Sequence, residues 1–128
     1  MSSKKIFDVF SNGKLTDMGI SFGDISWYQH PKFEGVEMKN IITSGETGGK
    51  FSFHLVKIAP DKKIGLHVHE NQLETHEIID GGGVCRISGK EFHYEPGVIA
   101  IFPVNTDHEI TAGPEGICIF AKFIPALY

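Results

Sequence analysis

Apolar residues along this chain recur mostly at every second position, in short runs cut by Gly, Pro, Asn and Asp. Residues 51–59 (FSFHLVKIA) carry the pattern most clearly. Phe51, Phe53, Leu55 and Lys57 fall on one face, and Ser52, His54, Val56 and Ile58 on the other, which is the period of a β-strand. Similar runs at residues 84–87, 91–94, 98–102, 108–111 and 117–124 predict further strands, and residues 40–44 predict another. Between them lie turn signals: Pro60-Asp61, Gly81-Gly82-Gly83, Ser88-Gly89, Pro96-Gly97 and Ala112-Gly113-Pro114-Glu115-Gly116. Residues 45–49 and 103–107 read as loops, and Pro125 ends the last strand. Upstream, a short apolar piece at 6–10 meets the turn Ser11-Asn12-Gly13, and residues 17–39 are mixed, with no regular helix expected. No stretch sustains a 3.6-residue apolar period. The expectation is an all-β sandwich or barrel. It is one domain over residues 1–128, with the barrel at 41–124 and the first 40 residues an arm packing on the barrel or on a partner subunit.

Composition narrows this. A hydrophobic content of 41% with ten Phe suits a packed core rather than disorder. A net charge of −4 carries no basic footprint, so a nucleic-acid partner is not expected. No apolar run approaches the ~20 residues of a membrane helix, and the N-terminus has no secretory h-region, so no membrane association is expected. Cys85 and Cys118 each sit inside an apolar run with no CxxC pair, which predicts two buried free thiols in a reducing cytoplasmic setting.

The chemistry-bearing residues concentrate in residues 65–81, GLHVHENQLETHEIIDG. His67 and His69, two apart, share a face on a strand. Glu74 adds a carboxylate oxygen if the chain bends between Asn71 and Leu73. His76 follows Glu74 by two and shares its inward face. It is read as a core histidine, an acid/base catalyst, a further ligand or a donor behind the ligands. Glu70 and Glu77 are expected in solvent, and His54 and His93 in ordinary packing. His30, beside Pro31, Trp27 and Tyr28, packs within the arm or rims a pocket. Arg86, the only arginine, is expected in an outward ion pair, or clamping a carboxylate if it faces inward. Phe53, Phe92, Phe102 and Phe120 are expected in the core. The triple glycine is read as a turn, because no helix opens after it as a phosphate loop requires.

HVHENQLETHEIIDG resembles the first motif of the cupin superfamily: His67-x-His69, four residues, Glu74, six residues, Gly81. SGKEFHYEPGVIAIFPVNTDHEI resembles the second, through Gly89, Pro96-Gly97, Pro103 and His108. Two family positions differ: Asp61 stands where a leading glycine is usual, and Ala112-Gly113 where an asparagine is common. The resemblance covers residues 51–124. It implies a double-stranded β-helix, or jelly-roll barrel, with His67, His69, Glu74 and His108 converging inside as ligands of a divalent transition metal (Fe, Mn, Co, Ni, Zn or Cu). It also implies a small metalloenzyme acting on a small oxygen-rich metabolite, of dioxygenase, isomerase or lyase type, with His76 as the candidate catalytic residue. The alternatives are a non-catalytic small-ligand or sugar-binding module and a metal-free structural cupin. A homodimer exchanging N-terminal strands is expected.

Overall fold

The alternation in residues 51–59 sends two faces of one strand into two apolar layers, and that division sets the architecture. The computed structural model describes residues 3–16 and 19–128; positions 17 and 18, at the start of the mixed segment, lie outside the described residues. The elements are α1 (Ser3–Ser11), β1 (Lys14–Leu15), β2 (Ile20–Ser21), a 3-10 turn (Phe22–Asp24), β3 (Tyr28–Gln29), β4 (Val36–Ile42), α2 (Ser44–Thr47) and β5 (Ser52–Ile58). They continue as β6 (Lys63–His67), β7 (Leu73–Ile87), β8 (Lys90–Tyr94), β9 (Ile99–Phe102) and β10 (His108–Ile124). One antiparallel sheet runs β3-β4-β5-β10-β7-β8, with β6 added on β10 and β9 on β7. It curls on itself as an all-β jelly-roll barrel, with β1 and β2 as a separate small pair.

The inner face holds the main core. Val56 and Ile58 of β5 pack with Val36, Ile78, Ile110 and Ile119. The outer face of the same strands forms a second cluster, in which Leu55, Ile41, Cys118 and Phe120 meet Phe7 and Phe22 of the arm. Each such side chain taken fully out of water contributes roughly 1.5–3 kcal/mol. The arm is therefore a structural layer of its own chain's barrel. Both cysteines are buried and free, as expected.

The helix α1 was not legible. Its apolar residues, Ile6, Phe7, Val9 and Phe10, do fall at helical spacing, but the helix spans little more than two turns and buries mainly Phe7, so the run is too short to tell from a strand. Lys39, on β4 and only 3% exposed, holds α1 in place. Its Nζ donates to Ser11 O at 2.8 Å, at the helix C-terminus, and to Phe22 O at 2.7 Å. A cation there meets the carbonyl end of the helix dipole. The expected loop at 45–49 contains the single turn α2. Thr43 caps it by accepting from Gly45 N, while the Glu46 carboxylate accepts from Thr43 N at 2.8 Å, a capping box. Strand β4 begins at Val36 rather than residue 40. Phe92 is also not core: β8 is an edge strand paired only with β7, and Phe92 lies on its open face, 46% exposed.

The two glycine-rich turns expected at 81–83 and 112–116 are bends inside continuous strands. β7 and β10 pair from Leu73↔Ile124 to Ile87↔His108, with irregular register between Ala112 and Ile117 and between Cys118 and Ile119. Inward residues of β7 are even before the bend (Glu74, His76, Ile78) and odd after it (Cys85, Ile87). Those of β10 switch from His108 and Ile110 to Ile117 and Ile119. Each bend absorbs one step of the two-residue period, so both halves of a long strand face the same interior.

Candidate metal centre

His67 ends β6, and His69 lies two residues on, in the loop that Asn105 N holds by donating to His69 O at 3.0 Å. Glu74 is the second residue of β7 and His108 the first of β10, directly opposite His67 in the register. One donor atom from each of the four lies within 4.8 Å of all the others. The sequence expectation of a single strand carrying both histidines is met only for His67. The bend at Glu70–Asn71 then turns Glu74 back toward the pair.

The ring orientations suit a metal. His67 Nδ1 donates to Gly65 O at 2.8 Å and His108 Nδ1 to Thr106 O at 3.1 Å. Carbonyls only accept, so each neutral ring keeps its Nε2 lone pair for the centre. His108 Nε2 then faces Glu74 Oε1 at 3.0 Å, with His69 Nε2 at 3.6 Å from the same oxygen. Those nitrogens and the carboxylate oxygen converge at the separations of ligands around one ion, and a divalent metal on three imidazole nitrogens and one carboxylate fits all four groups.

Electrostatics agree. Burial alone pushes the Glu74 carboxyl up, but its interactions with His76 and His108 outweigh that and hold Glu74 well below the usual carboxylate range. Burial lowers His67 to about 4, with the neighbouring His108 adding to it and the Gly65 carbonyl opposing. Burial also lowers His69. Near neutral pH the centre thus offers an ionised Glu74 with neutral His67 and His69, the forms that ligate.

His76 sits behind Glu74, 2% exposed. Its Nε2 is 2.8 Å from Glu74 Oε2, its Nδ1 is 3.1 Å from Tyr94 OH, and its ring lies edge-on to Phe102. Burial and the adjacent Cys85 raise the Tyr94 phenol, so it stays protonated as a donor. Tyr94 was missed as a site residue; its only signal was its inward parity at the end of the EFHY run. The other candidates lie elsewhere. Arg86 points outward to Glu91 at 2.6 Å, Glu77 pairs with Lys122, His93 is exposed beside Glu95, and Glu70 is exposed.

Beside the centre opens a cavity of about 310 Å³, space for roughly ten waters at liquid density. His67, His69, Glu74 and His76 line one side, and Met38, Val56, Phe123 and Leu127 form apolar walls. The arm contributes His30, Lys32 and Phe33. Leu127 and Tyr128 lie beyond the last strand, and nothing in an apolar pattern that ends at Pro125 marks them.

His54 is fully buried two strands away, with Nδ1 at 2.8 Å from Asn40 Oδ1 and Nε2 at 2.8 Å from Ser52 Oγ. Burial lowers it to about 4, against about 6.5 when unfolded. Between those values the unfolded chain binds the proton and the folded one does not. Stability is therefore full above pH 6.5 and falls as the pH drops toward 4, by about 3 kcal/mol from this residue. Urea midpoints measured from pH 7 to pH 4 should fall less steeply in His54→Gln; an unchanged slope removes His54 from the account.

Fold and centre together define a small jelly-roll barrel with an internal three-histidine, one-carboxylate site. A family model described as the cupin domain matches residues 54–120, just over half of the chain, and the chain belongs to the cupin family. Among curated proteins it is similar to L-ectoine synthase of Bordetella parapertussis, 30% identical over 82 residues, covering 62% of each chain. It is also similar to an oxalate-binding protein of Thermotoga maritima, 29% identical over 76 residues, covering 59% of this chain and 63% of that protein. The matches thus span less than two thirds of these relatives. A predicted oxalate decarboxylase of Thermotoga maritima superposes with a TM-score of 0.72 at 24% identity, covering 82% of this chain and 96% of that one. KdgF of a Halomonas species superposes at 0.70 and 18%, covering 80% and 88%. At these identities the solved structures share the fold. Among the described residues, no helix is long and apolar enough to cross a membrane.

Proposed function

We propose that this cupin is a small metalloenzyme that holds a divalent transition metal on His67, His69, Glu74 and His108 and acts on a small oxygen-rich metabolite in the adjoining cavity. The observation that carries the reading is the convergence of four ligand atoms within 4.8 Å beside a cavity large enough for a small organic molecule. When bound, the ion supplies Lewis acidity toward ligand oxygens. The chain's own part is to keep His67 and His69 neutral, hold Glu74 ionised, and wall the site with the apolar Met38, Val56 and Phe123. The reaction is proposed as dioxygenase, isomerase or lyase chemistry in a cytoplasmic homodimer.

His76 enters as the proton-transfer candidate. Both its nitrogens are already engaged, so a proton it moves passes along Tyr94, His76 and Glu74 rather than straight to a ligand. That engagement also favours the second reading, a non-catalytic small-ligand module in which His76 only orients Glu74. Protein purified without chelators should carry close to one transition-metal ion per chain and sediment at twice 14.2 kDa. Absence of metal, with failed reconstitution, overturns the metal reading. Once a substrate is in hand, His76→Gln should keep the metal and lose at least about 100-fold in turnover; unchanged turnover removes His76 from catalysis.

A further inference from the structure

The arm adds further polar groups, His30 and Lys32, to the wall of the cavity that the metal centre lines. Residues 30–36 form a tight loop: His30 N donates to Val36 O at 2.7 Å, and Gln29 Nε2 to Phe33 O at 2.7 Å. The loop is seated on the barrel through Phe33. A Cβ on Gly65 would come within 3.1 Å of the Phe33 ring, so the glycine lets that ring lie flat against β6. The Phe33 ring is 5.8 Å from the His67 ring and 4.8 Å from the His30 ring. His30 is thereby held at the cavity wall on a closed loop rather than on a free tail.

The state of the His30 ring follows from one hydrogen bond. Lys32 N donates to His30 Nδ1 at 3.0 Å. A backbone N–H can only donate, so Nδ1 is the acceptor and the neutral ring carries its hydrogen on Nε2. No hydrogen bond within the chain uses that Nε2 among those described. His76 differs, with both nitrogens held by Glu74 and Tyr94. His67 and His108 each spend Nδ1 on a carbonyl and aim the other nitrogen at the centre. Charge adds to the contrast. Among the described lining residues Glu74 alone has a carboxylate side chain, which the histidines surround, whereas Lys32 supplies a lysine cation beside His30.

We propose that His30 is a ligand-recognition residue of this cavity, its Nε2–H hydrogen-bonding an anionic oxygen at the end of a small organic acid whose other oxygens reach the metal centre. The inference rests on the metal reading above and deepens it: the ligand is a carboxylic acid with oxygen groups at both ends and a carbon segment between them. Met38, Val56 and Leu127 add apolar wall to the same cavity, and that surface fits such a segment. Lys32 adds positive charge beside His30.

Zinc-loaded wild type, His30→Phe and His30→Gln are titrated calorimetrically with acetate, which has one carboxylate, and succinate, which has two. The wild type should bind succinate more tightly than acetate. His30→Phe should lose succinate affinity by about tenfold or more, with acetate affinity and zinc stoichiometry unchanged. His30→Gln, which keeps an N–H near the Nε2 position, should recover most of the loss. Equal succinate affinity in wild type and His30→Phe overturns the inference, and so does a parallel loss of acetate, which would place the effect at the metal. Zinc stoichiometry is read first on each protein. Failure of the wild type to hold zinc overturns the metal reading and this inference together, whereas full zinc with an unchanged succinate-to-acetate ratio overturns this inference alone.

Discussion

Glu74→Gln should abolish tight metal binding, by at least about 100-fold, while leaving the barrel folded. Mutations one shell behind a metal typically cost 10–100-fold, and Glu74 is the only anionic member of the donor set itself. Its carboxylate is 5% exposed and faces His76, His108 and His69 within 3.6 Å. An amide removes the negative charge that a divalent ion needs there. It can still serve the fold, since its oxygen accepts from His76 Nε2–H and its NH₂ can donate to Nε2 of His108, whose Nδ1–H is spent on Thr106 O. The metal-free variant should therefore unfold within about 1–2 kcal/mol of metal-free wild type. His108→Ala is a poorer probe of function: its ring stacks on Phe102 at 4.1 Å between centroids, so its loss opens a void as well as removing a ligand. Elemental analysis after dialysis, with urea midpoints of the chelated proteins, separates the two effects. Stoichiometric metal retained by Glu74→Gln would exclude the carboxylate from the centre.

The ligands were legible because their spacing is local. His67, His69, Glu74 and Gly81 lie within one segment, and only His108 had to be brought in by the second motif. What was not legible is non-local. The cavity's far wall comes from the arm and from Leu127 and Tyr128, and no periodicity in residues 17–39 signals that Phe33 will pack on Gly65. Tyr94 needed the β7–β8 pairing to place it under His76. Phe92 failed for the complementary reason: apolar alternation cannot distinguish an interior strand from the open face of an edge strand. In α1 the apolar residues 6, 7, 9 and 10 have helical spacing, but two turns, held by Phe7 and by a buried lysine from β4, are too short for that spacing to exclude a strand.

The glycines at 81–83 show the same limit from the other side. Glycine clusters usually mark turns, and here they mark places where two backbones approach. A Cβ at Gly83 would lie 2.1 Å from Thr111 O, and one at Gly82 2.7 Å from Tyr94 O. The parity switch that keeps Glu74 and Cys85 on one interior is made at these residues. The bend is therefore what allows β7 to carry a ligand at one end and barrel core at the other.

Gly81→Ala should accordingly destabilise the protein by about 3 kcal/mol or more, a large share of the 5–15 kcal/mol typical of a domain. Two effects combine. Gly81 has φ +75°, a left-handed conformation that costs a non-glycine residue roughly 1–2 kcal/mol. Its Cβ would also lie 2.0 Å from Gly116 O, inside the β7–β10 pairing, where backbone must move to admit it. Gly89 separates these contributions. It has φ +83°, but a Cβ there meets nothing within 4 Å, so Gly89→Ala carries the conformational cost alone, about 1–2 kcal/mol. The excess loss in Gly81→Ala, read from urea midpoints, measures the close approach of β7 and β10; equal losses would show that the bend tolerates a side chain. Because Glu74 and His108 lie at opposite ends of that pairing, a displaced bend should also weaken metal binding in Gly81→Ala and leave it intact in Gly89→Ala.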